Sequence, residues 1–163
     1  MNSIKAVALD VDGVLTDGLF VWGPKGEEFK RFSFHDVMGI SLAKKAGLVF
    51  ALISGEESQL VDRFARKMGI ADVYKGCKDK AAALRQFAGG RGFTLGDVCF
   101  IGDDVNDLPA LAIAGFAAAP ADAHPDVRLK AGYVARACGG HGAVREILDY
   151  MMGDSPAGKR MPR

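Results

Sequence analysis

No stretch of this sequence approaches the ~20 apolar residues that a helix needs to cross a bilayer, and MNSIKAVALD sets no long apolar segment behind a basic one. A soluble, cytosolic protein without a membrane partner is the expectation. Neither sign of charge is in excess, with 21 Lys and Arg against 20 Asp and Glu, so the basic footprint of a nucleic-acid binder is missing. Cysteine is scarce. Cys77, Cys99 and Cys138 are odd in number and far apart, which argues against a disulfide framework or a CxxC zinc site and predicts reduced thiols. Internal repeats and low-complexity runs are also absent. What remains is 163 residues, 49% of them hydrophobic, enough for one compact domain with a full core. Residues 1–152 are read as that domain. The ending GDSPAGKRMPR, residues 153–163, has almost no apolar content and predicts a disordered tail.

Four short apolar runs, AVALDV, VFALIS, VCFIG and, more weakly, GFAAAP, each give way to glycine-bearing or polar turns. They read as buried parallel strands. Between them, Ser58 to Met68 carries Leu60, Val61, Phe64 and Met68 on one helical face, and Lys80 to Phe87 and Leu108 to Ala114 behave similarly. This alternation predicts an α/β fold in three layers, a Rossmann-like parallel sheet between helices. The segment LFVWGPKGEEFKRFSF interrupts it with two apolar-alternating pieces around Gly23-Pro24-Lys25-Gly26, a β-hairpin flap leaving the sheet after Asp12. Weak strands near DVYKG and GYVARA complete the sheet, and HGAVREILDYMM closes the fold as a helix with Val144, Ile147, Leu148 and Met151 inward. Only the hairpin, one helix and one strand fit between Gly13 and Ser54, and two helices and a short strand between Ser54 and Asp103. No cap domain is expected.

Ligands of open α/β sheets sit beyond the carboxyl ends of the strands. The residues found there are Asp10 and Asp12, then Ser54 and Gly55, then Lys80 at a helix start, then Asp103, Asp104 and Asp107. Carboxylates brought together raise one another's pKa unless a cation holds them, and hard oxygen ligands favour Mg²⁺. Ser54, the backbone donors of Gly55 and the Lys80 ammonium supply what a phosphoryl group needs. An ionised Asp10 can then attack phosphorus to form an aspartyl-phosphate, and Asp12 can protonate the leaving alcohol and later activate water. Plainer readings exist for each residue. DxDG occurs in calcium loops, though an EF-hand is entered from a helix and needs a closing Glu. Ser54 alone reads as a turn residue, Lys80 alone as a surface charge, and the Asp103, Asp104 and Asp107 group as caps of the helix near Leu108.

The set DVDGVLTDG, LISGEES, Lys80 and GDDVND resembles, in order and along essentially the whole chain, the four motifs of the haloacid dehalogenase superfamily of phosphohydrolases. The resemblance implies Asp10 as nucleophile and Asp12 as acid/base. It implies Mg²⁺ held by Asp10, Asp103 and the Asp12 backbone carbonyl, with phosphate bound by Ser54, Gly55 and Lys80, and Asp104 and Asp107 supporting the metal. The hairpin, RFSFHDVMGISLAKKAG and GGHGAVREILD resemble the capless branch that contains the 3-deoxy-D-manno-octulosonate 8-phosphate phosphatases. These act on an eight-carbon sugar acid of lipopolysaccharide synthesis and are homotetramers whose hairpins form a central barrel and whose neighbouring subunits complete the sites. By that resemblance His35 and Asp36 lie near the substrate, while His141 and Arg145 reach a neighbouring site. Each has a duller reading as a surface, loop or solvated helix residue. The chain departs from the octulosonate pattern in carrying Glu56 and His141 where arginine is usual. Glu56 with Lys67 resembles instead the sister group acting on 2-keto-3-deoxynononate 9-phosphate, although an acid and a base at the two ends of a helix also suit its macrodipole. Other readings are a phospho-acceptor signalling module, which has no need of Asp12, and an idle scaffold.

Overall fold

A computed structural model describes residues 4–153. The first strand, β1 (Ala6–Leu9), is buried along its whole length, as a strand covered on both faces must be. The chain then leaves the sheet for a short hairpin of β2 (Val21–Trp22) and β3 (Glu28–Phe29), and returns through α1 (Phe34–Lys45), β4 (Val49–Ile53), α2 (Gln59–Met68) and β5 (Asp72–Tyr74). Next come α3 (Lys80–Gly90), β6 (Val98–Ile101), α4 (Leu108–Ile113), β7 (Phe116–Ala119), α5 (Pro125–Lys130), β8 (Tyr133–Val134) and α6 (Ala143–Met152). The six-stranded sheet has the order β5-β4-β1-β6-β7-β8, and all its pairings are parallel. Thus the chain builds outward from β1 to one side, then crosses to the other. That switch places the end of β1 at the crevice where such sheets bind ligands.

Alternation along the strands makes two cores. Val7, Leu9, Phe50, Leu52, Cys99 and Ile101 pack with residues of α1, α2 and α6. Ala6, Ala8, Ala51, Ile53, Val98 and Phe100 face the opposite layer, with Leu84, Phe87, Leu111 and Val127 of α3, α4 and α5. The three layers expected from sequence are therefore present, and among the described residues no cap domain stands between Gly13 and Asp103. The hairpin is shorter than the sequence suggests, with two residues paired in each arm. Helix α5 was not anticipated: it is one and a half turns long and buries only Val127, too little for a periodic signal. The inward face of α6 is Ala143, Val144, Ile147 and Leu148, with Met151 half-buried. Gly153, in the left-handed conformation, ends this helix; the rest of the expected tail lies outside the described residues.

Two long-range joins position the loop that follows β1. Asp36, buried on α1, accepts hydrogen bonds from the backbone N–H groups of Gly142 (3.3 Å) and Arg145 (2.9 Å), and so fixes the start of α6. Just before α6, the Gly140 N–H donates to the Val14 carbonyl at 3.0 Å. There Gly139 lies so close to the Gly13 carbonyl that an added methyl would overlap it. Gly139→Ala is therefore expected to cost on the order of 1–3 kcal/mol through overpacking, read by urea unfolding; a loss inside about 0.5 kcal/mol, ordinary for a surface change, would contradict this close approach.

Candidate active site

Four strand ends converge. Asp10 follows β1, Ser54 follows β4, Lys80 opens α3 after β5, and Asp103 lies two residues past β6. The Lys80 ammonium is 2.9 Å from Asp10 Oδ1 and 2.6 Å from Asp107 Oδ1, and the residue is only 2% exposed. Asp107 Oδ2 accepts the backbone N–H groups of Asp103 (2.8 Å) and Asp104 (3.2 Å), so both its oxygens are engaged. Asp10 Oδ1 also accepts from the Val11 N–H at 2.7 Å. The buried Ser54 hydroxyl oxygen accepts from the Glu56 N–H at 3.1 Å, which leaves its proton free to donate. Its loop is tied to the segment leading to Lys80, since the Cys77 N–H donates to the Ser54 carbonyl at 3.0 Å. Gly13, at φ +90°, is needed for a second reason: a Cβ there would collide with the Asp103 carboxylate.

One carboxylate oxygen each from Asp10, Asp103 and Asp107 lie within 4.8 Å of one another. Lys80 balances part of that charge by direct contact with Asp10 and Asp107, and acts on Asp103 only at longer range; Asp103 Oδ1 is buried without a hydrogen-bond partner. Burial, then the charge of Asp107, raises the Asp10 carboxyl well above its usual range, against the pull of Lys80. The same two causes push Asp103 up to about 6. Two acids whose charged forms are disfavoured by burial and by a neighbouring carboxylate, one of them with an orphaned oxygen, fit a divalent cation taken by oxygen ligands. Asp10 and Asp103 have the free capacity; Asp107, engaged by Lys80 and two N–H groups, supports the loop that carries Asp103.

The open cleft over these groups is lined by Asp10, Asp12, Gly55, Glu56, Lys80, Asp103, Asp104 and Asn106, and by Gly18, Leu19 and Phe20 at the base of the hairpin. Asp104 also closes the turn after β6, its Oδ1 accepting the Val105 N–H at 2.7 Å. The other expected substrate residues lie elsewhere within one chain. Asp36 holds the start of α6. Arg145 pairs with Asp149 on its own helix at 2.8 Å. The exposed His141 ring meets the Gly139 carbonyl at 2.9 Å. His35 and Lys67 are exposed, on α1 and in the last turn of α2. Of the pair Glu56 and Lys67, only Glu56 borders the cleft. Gly18, Leu19, Phe20 and Asn106 line the cleft without having been expected there from sequence, and Lys30, which pairs with the lining Asp12, was also missed. Asn106 was hidden inside GDDVND, where the three aspartates carry the signal. Lys30, on the hairpin, reaches Asp12 at 2.5 Å and carries no local signal.

With this arrangement in view, residues 27–147 match the family model of the haloacid dehalogenase-like hydrolases, and the chain belongs to that family. The similarity extends to particular members. The 3-deoxy-D-manno-octulosonate 8-phosphate phosphatase of Escherichia coli K12 is 38% identical over 151 residues, which cover 93% of this chain and 80% of that one. The Yersinia pestis phosphatase of the same name is 39% identical over 150 residues, 92% of this chain and 80% of that one. Among solved structures, the phosphatase from Moraxella catarrhalis, in complex with magnesium, phosphate and the octulosonate, matches with a TM-score of 0.90 at 35% identity. It covers 95% of this chain and 89% of that one. The cobalt-bound phosphatase from Haemophilus influenzae matches equally well, with a TM-score of 0.90 at 35% identity over 96% and 91% of the two chains.

The raised Asp103 has a measurable consequence. Its proton is held more tightly in the fold than in the unfolded chain, so the contribution of Asp103 to the stability of the metal-free protein is lost as pH rises from 3.8 to about 6. A cation that displaces this proton binds less well where the proton is held. The rise in Tm produced by Mg²⁺ is therefore expected to be largest above pH 7 and to shrink as pH falls below about 6. A Mg²⁺ effect on Tm that does not change across this range would refute the assignment of Asp103 to the cation.

Proposed function

We propose that this chain is, over residues 1–152, a single-domain phosphomonoesterase that requires Mg²⁺ and converts 3-deoxy-D-manno-octulosonate 8-phosphate to the free sugar acid and phosphate. The observation that carries the proposal is the convergence of Asp10, Asp12, Gly55, Lys80 and Asp103 on one cleft, in a chain so similar to the octulosonate phosphatases. Asp10 and Asp103, with the Asp12 backbone carbonyl, would hold Mg²⁺; once bound, it neutralises the crowded carboxylates and the phosphoryl oxygens. Ser54, the Gly55 N–H and Lys80 bind the phosphoryl group. An Asp10 oxygen attacks phosphorus, the bond from phosphorus to the sugar oxygen breaks, and Asp12 gives that oxygen a proton. Water then attacks the phosphorus of the aspartyl-phosphate and loses its proton to Asp12, and the bond from phosphorus to the Asp10 oxygen breaks, returning the Asp10 carboxylate. The sum is one water consumed for one alcohol and one phosphate released. Asp12 sets this reading apart from a phospho-acceptor module, which keeps its aspartyl-phosphate.

Glu56, which together with Lys67 resembles the sister group, raises a second substrate, the nine-carbon 2-keto-3-deoxynononate 9-phosphate, although only Glu56 borders the cleft. A carboxylate on the cleft wall withholds the bidentate pairing that arginine would give a sugar acid. Comparing kcat/KM with Mg²⁺ for the two sugar acid phosphates and for hexose 6-phosphates decides between them. The eight-carbon compound is expected to lead, and Asp10→Asn to lower its turnover by at least about 10³-fold with the fold retained. Equal, low rates on all three compounds, or an active Asp10→Asn, would defeat the reading.

We further propose that second copies of this chain cover the hairpin, in a homotetramer in which a neighbour completes each cleft. Leu19, Phe20, Val21, Trp22 and Phe29 form an apolar surface, with Trp22 71% exposed, and such patches mark interaction sites. The cleft wall made by Leu19 and Phe20 continues into it. No helix among the described residues is long and apolar enough to cross a membrane, so the patch is not accounted for by a span. Light scattering is expected to return a mass near four chains, and Trp22→Glu a smaller one; a monomer at micromolar concentration would exclude the shared site.

A further inference from the structure

Lys30 stands one residue past β3 and 18 residues from Asp12, and the folding of the hairpin over the cleft joins them. Its Nζ is 2.5 Å from Asp12 Oδ1 and 3.1 Å from Glu28 Oε1, and its side chain is 3% exposed. Glu28 is held in turn: the Ser58 hydroxyl donates to its Oε2 at 3.2 Å, and Ser58 caps α2 by accepting the Leu60 N–H at 3.3 Å. A polar chain therefore runs from the start of α2 through the hairpin to Asp12. At its far end, Asp12 Oδ2 is buried with no partner. A carboxyl that moves protons must offer one oxygen in a fixed direction, yet the terminal torsion of an aspartate is broad and nearly two-fold. An ammonium gripping Oδ1 removes that freedom and leaves Oδ2 as the working atom.

We propose that Lys30 is a positioning residue for the proton-transfer step, holding Asp12 by Oδ1 so that Oδ2 meets the leaving oxygen of the substrate. The proposal rests on the reading of Asp12 as acid/base. It gives the hairpin a second task, because Lys30 reaches Asp12 from a hairpin whose Glu28 accepts from Ser58 and pairs with Lys30. The alternative is that Lys30 merely pins the hairpin. The two differ in how they depend on the leaving group, since a sugar alkoxide needs a proton as it departs and p-nitrophenolate does not.

The test is kcat/KM, which reports the steps up to loss of the alcohol, for p-nitrophenyl phosphate, glycerol 2-phosphate and 3-deoxy-D-manno-octulosonate 8-phosphate. For Lys30→Met, the two alkyl phosphates are expected to fall on the order of 10²-fold while p-nitrophenyl phosphate stays within about threefold. Lys30→Arg should recover most of the loss, and Lys30→Met placed on Asp12→Asn should add almost none to the Asp12→Asn loss. Equal falls on aryl and alkyl phosphates, an unchanged alkyl rate, or additive losses in the double variant would each overturn the proposal. A wild type that cleaves glycerol 2-phosphate but not the sugar acid phosphate refutes the substrate reading alone, and Lys30 is then judged on glycerol 2-phosphate. A wild type inactive on all three overturns both.

Discussion

A buried ammonium is the constraint on which this cleft depends. Lys80 is the first residue of α3, where the helix dipole disfavours a cation, and burial alone would push its charge out by several kcal/mol. Asp10 and Asp107 hold it there from two different strand ends, at 2.9 and 2.6 Å. Removing either partner leaves an uncompensated charge in the interior, so the ends of β1 and β6 and the start of α3 cannot drift independently. The second oxygen of Asp107 extends the same grip to the N–H groups of Asp103 and Asp104. An arrangement that opposes local helix electrostatics and persists through tertiary partners is the sort expected where function, rather than stability, sets the geometry.

The remaining negative charge follows from this. Lys80 is one cation among three clustered carboxylates, and it reaches only two of them. Asp103 keeps a buried, unpartnered oxygen and a carboxyl pushed up to about 6. The fold therefore carries its own electrostatic deficit at the position where oxygen ligands are free. Magnesium and phosphate in the Moraxella catarrhalis relative belong to a structure of the same fold and are consistent with that deficit. The capping of α6 by Asp36 and the close approach of Gly139 to Gly13 hold the loop bearing Asp12 from behind.

Much of this was legible in the sequence, for physical reasons that also explain what was not. Strands β1, β4 and β6 are covered on both faces, so they appear as uninterrupted apolar runs, and residues just beyond such runs must reach the crevice. Asp10, Asp12, Gly55 and Asp103, all on the cleft wall, were picked out in that way. Lys80 was legible as the opening of a helix after a short strand. By contrast, α5 buries a single residue and leaves no period to read. The surroundings of Asp36, Arg145 and His141 depend on α1 meeting α6 across more than 100 residues of sequence, and resemblance alone assigned them to a substrate. Nothing in EEFKRF distinguishes Lys30 from a solvated lysine, because its partner is brought to it only by the fold of the hairpin.

That hairpin pairs only two residues from each arm, Val21 with Phe29 and Trp22 with Glu28, which is too few to be stable unaided. Its position is set by what it touches: Asp12 and Ser58 through Lys30 and Glu28, and Phe64 of α2, on which Phe32 stacks with ring centres 4.3 Å apart. Register matters here, because side chains alternate between faces and a slip of one residue exchanges them. Glu28 and Lys30 share a face, and Phe29 lies on the other with Val21. A slipped hairpin would turn the lysine away from Asp12 and drive a phenylalanine toward the acids. The polar contacts that complete the cleft are thus the same ones that choose the register, and they leave Val21 and Phe29 exposed on the other face.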